Sequence, residues 1–369
     1  LELNMASELE TVAGHFAVDG KPTTVKPFNG GHINDSFLVT YRQEDGSARF
    51  LLQRINEAVF PDPALVTANI QRVTSHIVQK LKSLGVPDIN RRVPTLVRTN
   101  EGGFCHRDQA GSCWRLYRFV EDVRVCQKVD TPGQAEQAGR AFGAFQSLLA
   151  DLPGPRLHET IPGFHDTPSR FEALDRVVRA DPRGRTAEAQ PEIDYAFVHR
   201  ASAGALCELH RAGEIPERVA HNDAKISNVL FDRETGEALC VVDLDTVMPG
   251  LALNDFGDMV RSMTCPAAED ERDLSAVEVE MSLFEALARS YVEASAGFLT
   301  PVERANLVTA GKLITLEQGV RFLTDFLNGD TYYRTQRPNQ NLDRCRTQFK
   351  LVESITQHEA RMVHFIDSP

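Results

Sequence analysis

The stretch 221-HNDAKISNVLFDRETGEALCVVDLDTVMPG-250 decides how the rest of the chain is read. Asp223 stands before a short apolar run at 229–231, and Asp243 and Asp245 close a second run at 239–242. Glu234, Thr235 and Gly236 make a turn between the two, so the segment reads as a hairpin ending in acids. Carboxylates set against strands are costly to bury unless something pairs with them. His221, Asp223 and Asn228 fit the pattern HxDxxxxN, and Asp243 follows at the end of an apolar strand. Phosphoryl transfer asks for this set: one carboxylate to orient the attacking hydroxyl, and an amide oxygen with a second carboxylate to hold magnesium on nucleotide phosphates. Magnesium favours hard oxygen ligands, so Asn228 and Asp243 suit it without His or Cys. Lys225 adds a point charge where transferred phosphate would sit.

Outward from this stretch, the bulk properties narrow the classes. The chain has 369 residues and a net charge of −12, with 42% hydrophobic and 25% charged residues. That length suits two lobes sharing a cleft. The acidic balance argues against a nucleic-acid partner, which needs a basic surface. The 7 cysteines are odd in number and form no CxxC pair, which argues against zinc or a disulfide framework and suits a reducing cytoplasm. No apolar run approaches membrane-span length, so no membrane partner is expected. The opening LELNMASELE lacks the order of a secretion signal, and residues 1–4 read as a short extension before Met5.

The first third reads as strands. HINDSFLVTYR (32–42) alternates with Phe37, Val39 and Tyr41 on one face, Asp45-Gly46 marks a hairpin turn, and ARFLLQRI (48–55) returns. A helix is expected over 64–84 from Ile70, Val73, Ile77, Leu81 and Leu84. Strands are expected at 94–99 and 112–121. Helices follow: one with Ala135, Ala138, Phe142, Phe145 and Leu149 on its stripe, then 194–212, 276–294, 300–328 and 342–366. The Pro/Gly-rich DLPGPRLHETIPGFHDTP (151–168) reads as a break. Thr300, Pro301 and Glu303 form a helix start with a capping box, and Gly329 a stop.

HNDAKISNVLFD…CVVDLDTVMPGLALNDFGDMVR resembles the aminoglycoside-phosphotransferase-like kinases, which share the protein-kinase fold. NGGHINDSFLV, LLQRIN, WRLYRFVE, ETIPGFHDTPSRF and GVRFLTDFLNGDTYYR extend the likeness over about 28–334 and point to the N-acetylhexosamine 1-kinase branch. The resemblance implies an α+β, bilobal protein-kinase-like fold. An N-terminal antiparallel sheet lobe (1–121) would bind nucleotide, and a larger helical C-terminal lobe (122–369) would carry the catalytic loop and sugar site. It implies ATP and Mg2+ as cofactors, and transfer to the anomeric hydroxyl of N-acetylglucosamine or N-acetylgalactosamine.

Residue by residue, the resemblance makes Asp223 the catalytic base and acceptor contact, Lys225 its cationic neighbour, and Asn228 and Asp243 the metal ligands. Asp245 either binds the metal or supports residues that do. His221 orients the loop rather than acting as the base. Gly30, Gly31 and His32 would cover the ATP phosphates. The phosphate-binding Lys of kinases is missing: Gln53 occupies its position with Arg54 beside it, and the next helix offers no Glu partner. Phe119 and Glu121 fall in the nucleotide hinge YRFVED (117–122), and Trp114 reads as core. Thr246, Arg321 and Tyr332 match the acceptor pocket; Arg321 could instead pair with Asp325 one helical turn away. His165 and Asp166 either border that pocket or order their loop.

Other readings stay open on the residues alone. The same fold could serve an aminoglycoside, choline or another small alcohol. CVVDLDTV also resembles the nucleophile motif of haloacid-dehalogenase phosphatases, although that fold wants strands and helices alternating around it. A kinase-like binding module without activity is the last, supported only by the missing Lys.

Overall fold

The computed structural model describes residues 2–28 and 33–368, and the backbone alone for residues 2–6. The chain opens with helix α1 (Glu2–Ala13), strands β1 (Lys21–Pro27), β2 (Asp35–Gln43) and β3 (Gly46–Arg54), and helices α2 (Pro63–Ser83) and α3 (Ile89–Arg92). Strands β4 (Leu96–Val97), β5 (His106–Arg107), β6 (Cys113–Arg118) and β7 (Val123–Val125) follow. Next come helices α4 (Pro132–Leu149), α5 (Thr167–Ala180), α6 (Gln190–His199) and α7 (Ala205–Arg211). Strands β8 (Arg218–Ala220), β9 (Val229–Asp232), β10 (Ala238–Val241) and β11 (Met248–Gly250) precede helices α8 (Ala252–Met263), α9 (Met281–Ser295), α10 (Pro301–Ala305), α11 (Leu307–Asn328) and α12 (Gln340–Asp367). The class is α+β, an antiparallel sheet followed by a larger helical part, as the sequence implied. No helix among the described residues is long and apolar enough to cross a membrane.

Two compact units divide the chain: Leu1–Val123 with Leu152–Pro162 and Leu239–Met248, and Arg124–Asp151 with Gly163–Ala238 and Pro249–Pro369. The first is built on a sheet of order β1-β2-β3-β6-β4, with β5 also on β6. Alternation puts Val39, Tyr41, Phe50, Leu52, Trp114 and Leu116 on one face, where Leu9, Val12, Ala13 and Phe16 cover them. Each such side chain contributes roughly 1.5–3 kcal/mol by leaving water. Helix α1 thus supplies part of this core through Leu9, Val12 and Ala13. The β2–β3 turn falls at Glu44 and Asp45, one residue earlier than expected, because Gly46 already pairs with Gln43. On the opposite face the register sets Ser36 beside Gln53 and Gln53 beside Arg115, a polar row across three strands.

The second unit is helical. Phe171, Leu174, Ile193, Leu316, Val320, Phe326, Leu342 and Phe349 join α5, α6, α11 and α12 in one core. Helices α4 and α9 approach closely through Gly139 and Gly143; a Cβ at Gly139 would lie 2.5 Å from the Leu287 carbonyl oxygen.

Several expected elements differ in extent. The strand at 94–99 is reduced to Leu96–Val97 and that at 112–121 ends at Arg118. The helix expected over 300–328 is two helices. Its capping box at Thr300 and Glu303 forms, but the Asn306 side chain turns back to the Val302 carbonyl (2.9 Å) and α10 stops. Helix 194–212 is also divided, where Ser202 Oγ bonds the His199 carbonyl (2.8 Å) and Gly204 follows. Helix α5 was hidden by the Pro/Gly-rich passage. Asp166 caps it, accepting from the Ser169 N–H (3.2 Å), with Pro168 in the first turn.

Candidate active site

In the second unit the loop after β8 carries His221, Asn222, Asp223 and Lys225. Asn222 takes a left-handed backbone (φ 63°), which Asn tolerates better than most residues. That turn is held from both sides. The His221 and Asn222 N–H groups donate to the two oxygens of Asp255 on α8 (2.8 and 2.6 Å). Asp255 is fully buried and also accepts from Gln146 (2.6 Å), which in turn accepts from the Tyr291 hydroxyl (2.7 Å). The His221 ring lies edge-on to Phe142, and its Nδ1 accepts the Asp223 N–H (3.3 Å), a loop-ordering position.

Asp223 points its Oδ2 at Lys225 Nζ (2.7 Å) and at Asn228 Nδ2 (2.9 Å). The Asn228 amide also reaches the Asp223 carbonyl (2.8 Å), which leaves Oδ1 of Asn228 as its hard-oxygen end. Burial would raise the Asp223 carboxyl. Lys225, His221 and the Asn228 hydrogen bond outweigh it and hold the group down at about 2. Such a carboxylate is a weak proton acceptor at rest but a firm hydrogen-bond acceptor for an incoming hydroxyl.

The FHDT segment borders this loop. His165 Nε2 lies 3.1 Å from the Asn222 carbonyl oxygen and its Nδ1 lies 2.9 Å from Glu317 Oε1. With Glu317 ionised both neighbours accept, a setting that favours hydrogen on both ring nitrogens. Burial alone would lower the His165 value, but the charge of Glu317 and its hydrogen bond raise it. The Thr167 hydroxyl donates to the other Glu317 oxygen (2.6 Å). Asp166 caps α5 rather than facing this cluster.

Arg321 does not pair with Asp325. That carboxylate is buried and accepts the Thr331, Tyr332 and Tyr333 N–H groups (3.0, 2.8 and 2.9 Å), closing the turn after α11. The Arg321 guanidinium instead lies over the rings of Phe164 (5.0 Å) and Tyr333 (5.8 Å) and donates to Gln318 (3.2 Å). Arg170 bonds the Phe164 carbonyl (2.6 Å). Burial and the charge of Arg321 pull its value down, the mark of two cations set close together. Tyr332 is 55% exposed, with its ring edge-on to Tyr333.

The first unit holds Asp243, Asp245 and Thr246. Asp243 adopts φ 60°, ψ 57° and begins a 3-10 turn at Leu244–Thr246; Thr246 is buried. Asp245 is ion-paired with Arg115 and accepts from Asn34 Nδ2 (2.7 Å). Gln53 takes two donors from Arg115 (3.1 and 2.9 Å) on Oε1 and donates to Ser36 Oγ (3.0 Å). Arg54 pairs with Asp35 at the surface (3.0 Å). Phe119 bonds the Arg49 carbonyl through its N–H (3.1 Å) and Glu121 receives Arg49 Nε (2.8 Å). Trp114 is core, with Nε1 on Asp108 (2.7 Å). Gly30, Gly31 and His32 lie outside the described residues.

Asp255, Glu317, Arg170 and Arg115 escaped the sequence reading. Asp255, Arg170 and Arg115 sat inside quoted motifs, but nothing in their local pattern named the groups they hold.

Comparison with known proteins gives the setting for this geometry. Residues 24–293 match the APH model, described as the phosphotransferase enzyme family. An aminoglycoside phosphotransferase from Alicyclobacillus acidocaldarius subsp. acidocaldarius DSM 446 has a similar backbone, at TM-score 0.62 and 12% identity over 97% of this chain and 96% of that one. A microcompartment-associated aminopropanol kinase gives TM-score 0.56 at 15% identity over 96% and 98%. A spectinomycin phosphotransferase in complex with ADP and spectinomycin gives 0.50 at 14% over 98% of both chains. At these identities the structural likeness shows the fold, while the family match spans most of the sequence. The chain therefore belongs to the APH phosphotransferase enzyme family.

Proposed function

We propose that this phosphotransferase uses ATP and Mg2+ to phosphorylate the anomeric hydroxyl of an N-acetylhexosamine, giving the sugar 1-phosphate. The observation that carries the sugar assignment is the setting of Arg321. Its guanidinium lies against Phe164 and Tyr333, close enough to Arg170 for the two charges to interact, and the one carboxylate whose charge reaches it, Glu317, already holds His165 and the Thr167 hydroxyl. Proteins of similar fold are named as an aminopropanol kinase and a spectinomycin phosphotransferase. A cationic acceptor would be repelled by two guanidinium groups, whereas a neutral, hydroxyl-rich ring can take their hydrogen bonds and stack on the aromatic faces.

In this reading Asp223 orients the acceptor hydroxyl through the oxygen not used by Lys225 and Asn228, and takes its proton late in the transfer. Lys225 keeps Asp223 ionised and offers positive charge to the transferred group. The donor types suit magnesium: the residues proposed to hold it, Asn228 and Asp243, offer an amide oxygen and a carboxylate. Bound there, the ion would neutralise phosphate charge. Gly30, Gly31, His32, Gln53, Arg54, Phe119 and Glu121 are proposed for the nucleotide, and Thr246 and Tyr332 with Arg321 for the sugar. Gln53 would act indirectly, since Arg115 and Ser36 occupy its amide.

The test is transfer from ATP with Mg2+ across N-acetylglucosamine, N-acetylgalactosamine, glucosamine, choline and an aminoglycoside, the product read by phosphorus NMR. A sugar 1-phosphate from the N-acetylated sugars is expected. Turnover with the cationic acceptors alone would overturn the sugar assignment and keep the family.

A further inference from the structure

The first unit buries a full ion pair beneath its sheet. Arg115 is 1% exposed and Asp245 2%. Burying both charges costs more than a well-packed apolar pair of the same size, so their presence calls for a reason other than stability. Arg115 comes from β6, and its fork is completely directed. Nε and Nη2 donate to Gln53 on β3, and the two terminal nitrogens meet the two oxygens of Asp245, Nη2 at 2.9 Å from Oδ2. Asn34 adds a third donor to Asp245 (2.7 Å) while its own Oδ1 accepts the Asn56 N–H (2.9 Å). Both Asp245 oxygens thus already face cationic or amide donors, which makes this carboxylate a poor ligand for a metal.

Asp245 lies two residues beyond Asp243, in a turn whose first residue sits in left-handed backbone. A non-glycine residue stays in that region only where its surroundings over-determine it. The constraints are visible. The Thr160 hydroxyl donates to the Asp245 carbonyl (2.8 Å), and Asn69 on α2 donates to the Val247 carbonyl (3.0 Å). The Arg115–Gln53–Ser36 row fixes the remaining side chain to three strands at once.

We infer that Arg115, with Gln53 and Asn34, is a positioning device: it clamps Asp245 and thereby aims the Asp243 carboxylate. The buried cation of the sheet stands on β6, and Gln53 on β3 connects it to Ser36 on β2. The role rests on the reading of Asp243 as a metal holder.

The experiment is calorimetric titration of ADP into wild type, Arg115→Lys, Asp245→Asn and Asn34→Ala, each with and without Mg2+, beside kcat and KM for the acceptor. Outer partners of metal ligands typically change metal affinity or activity about 10–100-fold. Arg115→Lys and Asp245→Asn are expected to bind ADP normally without Mg2+, to lose about 10-fold or more of the Mg2+-dependent gain, and to lower kcat with acceptor KM unchanged. Asn34→Ala strands no charge; should either buried variant fail to fold, it carries the test alone, with a smaller loss of the same kind. Folded variants that match wild type in Mg2+-dependent ADP binding would overturn the positioning role and leave the metal reading intact. A wild type whose ADP affinity ignores Mg2+ would overturn that reading and the inference with it.

Discussion

Lys225 Nζ sits 2.7 Å from Asp223 Oδ2, two residues along the same loop, and Asn228 shares that oxygen at 2.9 Å. The contact makes a defined demand on pH. With its value depressed to about 2, Asp223 stays ionised throughout the range in which the protein works, so wild-type kcat/KM should show no acidic limb from this group. Lys225→Met removes the main influence holding it down. Its pKa should rise, an acidic limb should enter the profile, and kcat should fall about 10²–10³-fold, the size of losing one transition-state donor. A pH–rate profile of both proteins checks this; an unchanged rate and profile would contradict it.

His165 gives the opposite sign. Its value is raised by Glu317, so the interaction is fully present below the unfolded histidine value of about 6.5 and is lost as pH climbs through the raised folded value. Glu317 is lowered in turn, burial opposing and His165 with Arg321 and Thr167 prevailing, so its share fades as pH falls below about 4.5 toward the folded value. Melting temperature should therefore decline on both sides of this window. His165→Gln should flatten the alkaline decline. It should also slow turnover, because the neutral amide cannot serve both Glu317 and the Asn222 carbonyl. A melting-temperature series against pH for the two proteins decides it.

Asp255 carries the loop from below. Its carboxylate accepts the His221 and Asn222 N–H groups and Gln146 in a fully buried place. Asp255→Ala should cost on the order of 3 kcal/mol or more in urea unfolding, since buried donors lose a charged acceptor. Activity should fall further than stability predicts, because Asp223 rides on the freed backbone.

Arg321→Ala should separate substrates. Acceptor KM is expected to rise about 10–100-fold, matching about 1.5–3 kcal/mol for a charge-assisted hydrogen bond, while KM for ATP changes little. Equal losses in both constants would place Arg321 outside the acceptor site.

One half of the proposed site was legible in the sequence. Asp223, Lys225, Asn228 and Asp243 fall within one short stretch, at spacings fixed by a loop and a hairpin, and their residue types suggest the chemistry proposed for them. Their supports were not legible, because sequence distance hides them. Glu317 lies 152 positions from His165, and Asp245 lies 130 from Arg115. Arg115 alternates with apolar neighbours on β6, so it reads as an ordinary strand position until the register sets it beside Gln53. Helix α5 shows a different failure. Asp166, Thr167 and Pro168 are the same start signals that were legible at Thr300 and Pro301, masked by the prolines and glycines before them. In the first sheet, alternation of Val39, Tyr41, Phe50 and Leu52 was enough, since one face had to be apolar.

The most direct measurement is sugar 1-phosphate formation from ATP, Mg2+ and N-acetylglucosamine or N-acetylgalactosamine, followed by phosphorus NMR for wild type and Asp223→Asn together. Wild type should yield the anomeric phosphate, and the variant should fold with an unchanged melting profile at neutral pH to within a few degrees while losing turnover by orders of magnitude. Near-normal turnover in Asp223→Asn, or a wild type that phosphorylates neither sugar, would contradict the proposed chemistry.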